Sequence, residues 1–94
     1  MQVGVILPNY SSAGTRDNLE IVARTAEELG FDSIWTTDHV LMSRGQEEPY
    51  GSILEALITL AYLAPIAPRV RLGVSVLVFP MRNPVLIAKE IASL

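Results

Sequence analysis

Thr37-Asp38-His39 follows the short strand-like stretch Ser33–Thr36, and His39 is the only histidine among 94 residues. An imidazole can act as a general base or hydrogen-bond a cofactor near neutral pH. Neighbouring residues of an extended chain point to opposite faces, so Asp38 and His39 need not act on one group. The competing reading is a loop histidine that caps a sheet edge. One histidine makes no metal site alone, and no His/carboxylate cluster accompanies it, so no metal is expected. Arg82 stands just before Asn83-Pro84, where a helix N-terminus favours an anion; it reads as an anion ligand or a solvated charge. Gly73, Ser75 and Val76 lie in a Val/Leu-rich run. The small residues mark a bulge, a close approach by a ligand, or a crowded barrel interior. Tyr10 reads as a pocket wall, and Trp35 as core or wall. Glu55 reads as a helix cap before it reads as a catalytic acid, and Tyr62 as packing.

Three strand–helix units must position these residues. The first strand spans Val3 to Leu7 and is ended by Pro8. A helix follows from about Arg16 to Leu29, with Thr15 as N-cap and Gly30 as its C-terminal stop. Leu19, Val22, Ala23, Ala26 and Leu29 fall on one face at helical spacing. The second strand, Ser33 to Thr36, runs into TDHVLMSRGQEEPYG. That connection is long for a strand–helix loop, and long loops are more often functional. Ser52 and Glu55 form an S-x-x-E capping pattern for a second helix, Ile53 to Ala64, apolar almost all round. The third strand reads as Val70 to Phe79, buried on both faces and ended by Pro80. Asn83 and Pro84 then open a third helix as N-cap and first residue. Buried strands feeding capped helices make a parallel α/β fold. Right-handed crossovers put the loops after Leu7, Thr36 and Phe79 at one sheet edge.

Composition removes several classes of function. Net charge is −3, with both signs interspersed and no basic patch, so nucleic acid is not an expected partner. The chain has no cysteine, which excludes disulfides and thiolate metal sites. MQVGVILP does not read as a signal peptide. No apolar run approaches the roughly 20 residues of a membrane helix. A cytoplasmic protein without membrane contact is expected. LPNYSSAG after the first strand lacks the G-x-G of a nicotinamide-binding fold. Half the residues are hydrophobic, and the last helix reaches Leu94 without a glycine stop or polar tail. The expectation is a piece of a larger buried architecture, truncated at Leu94 or covered there by another chain.

GVILPNY, GFDSIWTTDHV and RLGVSVLVFPMRNPVLIAKEIASL, in this order and spacing, resemble the luciferase-like flavin oxidoreductase superfamily. The resemblance covers nearly the whole chain. It implies that residues 1–94 are the first three βα units of a (β/α)8 TIM barrel, an incomplete barrel of parallel strands. It implies F420 or FMN as cofactor, and T-D-H in place of E-H-H leans toward F420. His39 matches the histidine that contacts the flavin or takes part in proton transfer, and Asp38 the acidic position near the ring. Ser75-Val76 matches the place of a non-proline cis peptide whose bulge backs the ring. Leu41-Met42-Ser43-Arg44 lacks a tryptophan typical of one sugar-phosphate-oxidising branch, which counts against that substrate class.

The expected activity is F420-dependent hydride transfer to or from a small organic substrate. An FMN-dependent monooxygenase is the alternative within the superfamily. A catalytically inactive partial barrel that keeps the family's residues and self-associates is the alternative of a different functional class, because open sheet edges invite pairing. The partners expected are a small-molecule substrate, with either a second copy of the chain or the missing C-terminal barrel segment.

Overall fold

Three short segments hydrogen-bond side by side in a computed structural model that describes residues 1–94. They are β1 (Gly4–Ile6), β2 (Ser33–Thr36) and β3 (Arg71–Val74), parallel and in the order β1-β2-β3. Ile6 pairs with Trp35, and Trp35 with Gly73. Helices α1 (Arg16–Glu28), α2 (Ala56–Leu63) and α3 (Pro84–Ser93) follow the strands in turn. The expected α/β order and the parallel sheet are therefore present. The strand ends bearing Leu7, Thr36 and Val74 share one edge.

Local chemistry explains the helix ends. Thr15 Oγ1 accepts from Asn18 N at 3.3 Å and caps α1. Gly30 adopts φ +80°, and its N–H donates to Glu27 O while Phe31 N donates to Ala26 O at 2.9 Å. This is a Schellman stop, which satisfies carbonyls the helix end leaves free. Asn83 Oδ1 accepts from Val85 N and Leu86 N at 3.0 and 3.1 Å and caps α3.

Two elements differ from the sequence expectation. The second helix begins at Ala56, not Ile53, and Glu55 is its N-cap, with Oε2 accepting from Ile58 N at 2.7 Å. Residues 52–54 pair instead with the first loop: Ser11 N donates to Ser52 O, and Leu54 N to Asn9 O. That pairing holds the segment extended, so Ser52 cannot cap. The third strand ends at Val74, far short of Phe79. Ser75 N still donates to Thr36 O at 2.8 Å. Beyond it the chain turns away, Val78 N donates to Asp38, and Phe79–Met81 forms a 3-10 turn containing Pro80. The strand is also not buried on both faces, because the helices cover only one side of the sheet.

That covered side is the core. Leu7 and Ile34 meet Leu19, Ala23 and Ala26 of α1 and Leu60 and Leu63 of α2, with Val5, Leu72 and Val74 packed against them. The alternation of strand side chains sends Gly4, Ile6, Trp35 and Gly73 to the other side. There Ile6 is 59% exposed, and the Trp35 indole lies across the two glycines. A Cβ on Gly4 would stand 2.6 Å from Trp35 Nε1, and one on Gly73 would meet the indole's six-membered ring. Gly73 is thus explained by the tryptophan. On α3 only Ile87 is buried, while Val85, Leu86 and Ile91 are exposed.

A second link joins α1 to α2. Tyr62 Oη donates to a Glu20 carboxylate oxygen, and the Arg16 guanidinium lies 5.5 Å from the Tyr62 ring centre. The Glu20 bond raises the Tyr62 pKa above the usual tyrosine value, because it favours the protonated phenol. A raised folded-state pKa contributes stability below pH ~10 that is lost as pH rises through the folded value. Absorbance titration should show one of the three tyrosines ionising late. In Glu20→Gln that tyrosine should move back toward ~10; an unchanged titration would contradict the link. Gly73→Ala should cost about 1–3 kcal/mol and red-shift the emission of the single tryptophan. An unaltered spectrum would mean that Trp35 does not rest on Gly73.

Candidate active site

At the shared strand edge, Asn9 is fully buried just after β1. Its Nδ2 donates to Thr37 O at 2.8 Å and to Leu54 O at 3.2 Å. Its Oδ1 accepts from Thr37 N and Thr37 Oγ1, both at 3.0 Å. One amide thus fixes the exit of β2 and the approach to α2. A buried amide is tolerable when its donors and acceptor are used.

Asp38 follows, with its side chain only 2% exposed. Oδ2 accepts from Val78 N at 2.9 Å and from Arg82 Nε at 3.2 Å; Oδ1 accepts from Arg82 Nη2 at 2.6 Å. The carboxylate therefore receives three protein hydrogen bonds from the loop after β3. Arg82 Nη2 also lies 2.6 Å from Glu55 Oε1. The bond to Asp38 raises the Arg82 pKa above its already high ordinary value; burial opposes this, and Glu55 reinforces it. Because the value is raised, the contribution is complete at and well above neutral pH and is lost only in strong alkali, beyond the ordinary arginine range. Arg82 should therefore stay charged across the physiological range.

Asp38, His39, Val40, Ile53, Glu55, Met81 and Arg82 line an open cleft of about 250 Å³. His39 is exposed, and its ring packs against Tyr50 at 4.6 Å with the planes tilted by 34°; the Tyr50 ring lies 4.9 Å from Tyr10. Ser75 and Val76 are exposed beside the end of β2 rather than in the cleft lining, and the bond between them is cis. The structure thus brings Asp38, His39, Glu55 and Arg82 together and sets Ser75 and Val76 alongside. Glu55 is both a cap and a wall of the cleft.

Three participants were not legible as such. Asn9 gave only a polar residue at a strand end. Tyr50 sat inside a long loop with no periodicity. The pairing of Arg82 with Asp38 spans 44 residues. No group of three or more His, Cys, Asp or Glu is placed to hold a metal ion. No helix is long and apolar enough to cross a membrane.

A parallel strand–helix sheet with a polar cleft at the strands' C-terminal edge is a βα architecture, a class whose ligand sites commonly lie at that edge. Residues 1–94 match the family model of luciferase-like monooxygenases, and the chain belongs to that family. It is 39% identical over 84 residues to an F420-dependent glucose-6-phosphate dehydrogenase of Amycolatopsis mediterranei, covering 86% of this chain and 23% of that protein. It is 41% identical over 70 residues to an F420-dependent glucose-6-phosphate dehydrogenase of Kineococcus radiotolerans, covering 73% of this chain and 20% of that protein. The chain thus spans about a quarter or less of the length of these curated relatives. No solved structure matches at a significant level. The fold is compatible with part of a luciferase-like TIM barrel.

Asn9→Ala should lower stability by about 2–4 kcal/mol, since it strips partners from buried backbone groups. Urea denaturation measures this. A loss under ~0.5 kcal/mol would show that the loop junction does not depend on the amide.

Proposed function

We propose that the chain forms the first part of an F420-dependent oxidoreductase in which hydride passes between a small organic substrate and the deazaflavin. The carrying observation is that exposed His39, just past β2, and the exposed Ser75–Val76 backbone, just past β3, follow neighbouring strand ends at one sheet edge, where Ser75 N donates to Thr36 O. Family membership and two F420-dependent relatives support it.

The residues present fit a flat ring with a polar rim. Val76 is 76% exposed and offers apolar surface, while His39 offers a hydrogen-bonding imidazole. F420, when bound, supplies a carbon centre that accepts or gives hydride. In this reading His39 holds or moves the accompanying proton at an imidazole nitrogen. Ser75 and Val76 support one face of the ring. Asp38 keeps one lone-pair direction on Oδ1 for a cofactor contact, and its other hydrogen bonds hold the loop after β3. The sugar phosphate in the relatives' names is not carried over, because Leu41 to Arg44 lacks the tryptophan of that branch.

FMN with monooxygenase chemistry is the alternative within the family. A second reading, a partial barrel that self-associates, draws on the uncovered sheet side, where Ile6 is 59% exposed. Titration with F420 and with FMN, followed by fluorescence, separates these readings. F420 should saturate near one equivalent and bind more tightly than FMN. His39→Ala should weaken F420 by about tenfold, the scale of one lost charge-assisted or cofactor hydrogen bond. Preference for FMN would support the monooxygenase. No binding of either, with size rising with concentration, would support the partial barrel.

A further inference from the structure

Arg82 stands where a helix N-terminus would favour an anion, yet its charge is already engaged. One guanidinium faces two carboxylates, each 2.6 Å from Nη2, and Nε reaches Asp38 Oδ2 at 3.2 Å. The cluster carries net negative charge, so it has no surplus positive charge for a phosphate or carboxylate ligand. Its action is directed inward. The same Asp38 oxygen that accepts from Nε also accepts from Val78 N at 2.9 Å. Val78 lies two residues beyond Val76, and Asp38 directly precedes His39. The Asp38 carboxylate, held by the Arg82 fork, therefore ties the backbone on which the imidazole projects to the backbone that carries Ser75–Val76.

We infer that Arg82 is a positioning residue of this site: it acts through Asp38 and Val78 to set the spacing between His39 and Val76, and it binds no anion itself. The inference rests on the reading that a deazaflavin lies at this edge. Lysine is a poor substitute, because a point charge cannot reproduce the fork.

Arg82→Gln and Arg82→Lys would be compared with Asp38→Asn and the Asp38→Asn/Arg82→Gln double variant. The first readout needs no cofactor: the Val78 amide and His39 imidazole resonances in NMR spectra of the chain. Both should shift in Arg82→Gln and partly return in Arg82→Lys, while amides of α1 stay in place. The second readout is F420 affinity. Arg82→Gln should weaken it by about tenfold or more, as expected for breaking a buried charge pair. The double variant should lose little beyond Asp38→Asn alone. Inorganic phosphate should not perturb the Arg82 side-chain resonance.

Unmoved Val78 and His39 resonances in folded Arg82→Gln, fully additive losses in the double variant, or saturable phosphate binding at Arg82 would each overturn the inference. If the parent chain fails to bind F420, the deazaflavin reading falls by itself. The resonances then still decide whether Arg82 sets the site. If Arg82→Gln does not fold, Arg82→Lys carries the same comparison with the charge retained.

Discussion

The bidentate contact between Arg82 and Asp38, with Glu55 on the same guanidinium, gathers three distant parts of the chain at one group. It ties the exit of β2 to the loop after β3, and through Glu55 it reaches the first turn of α2. Both partners of the main pair are nearly buried, at 13% and 2% side-chain exposure. Such a pair adds little net stability relative to an apolar replacement, yet losing one partner costs about 3–5 kcal/mol. Its value is therefore one of placement. The buried Asn9 amide performs the same task on the opposite side of β2, tying Thr37 to Leu54. Between them these two polar anchors leave His39 little freedom in where its backbone lies.

The rest of the fold follows from having helices on only one side of the sheet. Small and apolar residues of α1 and α2 close over Leu7 and Ile34. On the uncovered side Trp35 spreads over Gly4 and Gly73, which have no side chains to hold it off. A large ring lying flat on a glycine-flanked sheet suits a barrel interior, where inward side chains must share a narrow space. On α3, Val85, Leu86 and Ile91 are exposed, so one apolar face of that helix is uncovered within residues 1–94.

Features set by neighbours in sequence were legible. The Thr15 and Asn83 caps, the Gly30 stop and the β2 boundaries depend on short-range chemistry, and the parallel α/β order follows from strands alternating with helices along the chain. The implied cis bond at Ser75–Val76 came from the family resemblance, and the structure contains it. Features set by distant partners were not legible. Val70 to Phe79 reads as one strand because hydrophobicity alone cannot show that Val78 N is taken by Asp38. Ser52 looks like a cap because nothing local reveals that residues 52–54 pair with Asn9 and Ser11. Arg82 looks like an anion ligand for the same reason, since its carboxylate partners lie 44 and 27 residues away.

The proposed function has one central claim: a deazaflavin ring lies at the shared strand edge, at Thr37 to Val40 and Ser75 to Arg82. Mapping amide and imidazole resonances during F420 addition tests it most directly. The account predicts saturable shifts at His39, Ser75, Val76 and Val78, with Gln2, Ser33 and Arg71 at the opposite end of the sheet unmoved. Shifts confined to that opposite end, or no saturable shift anywhere, would contradict it.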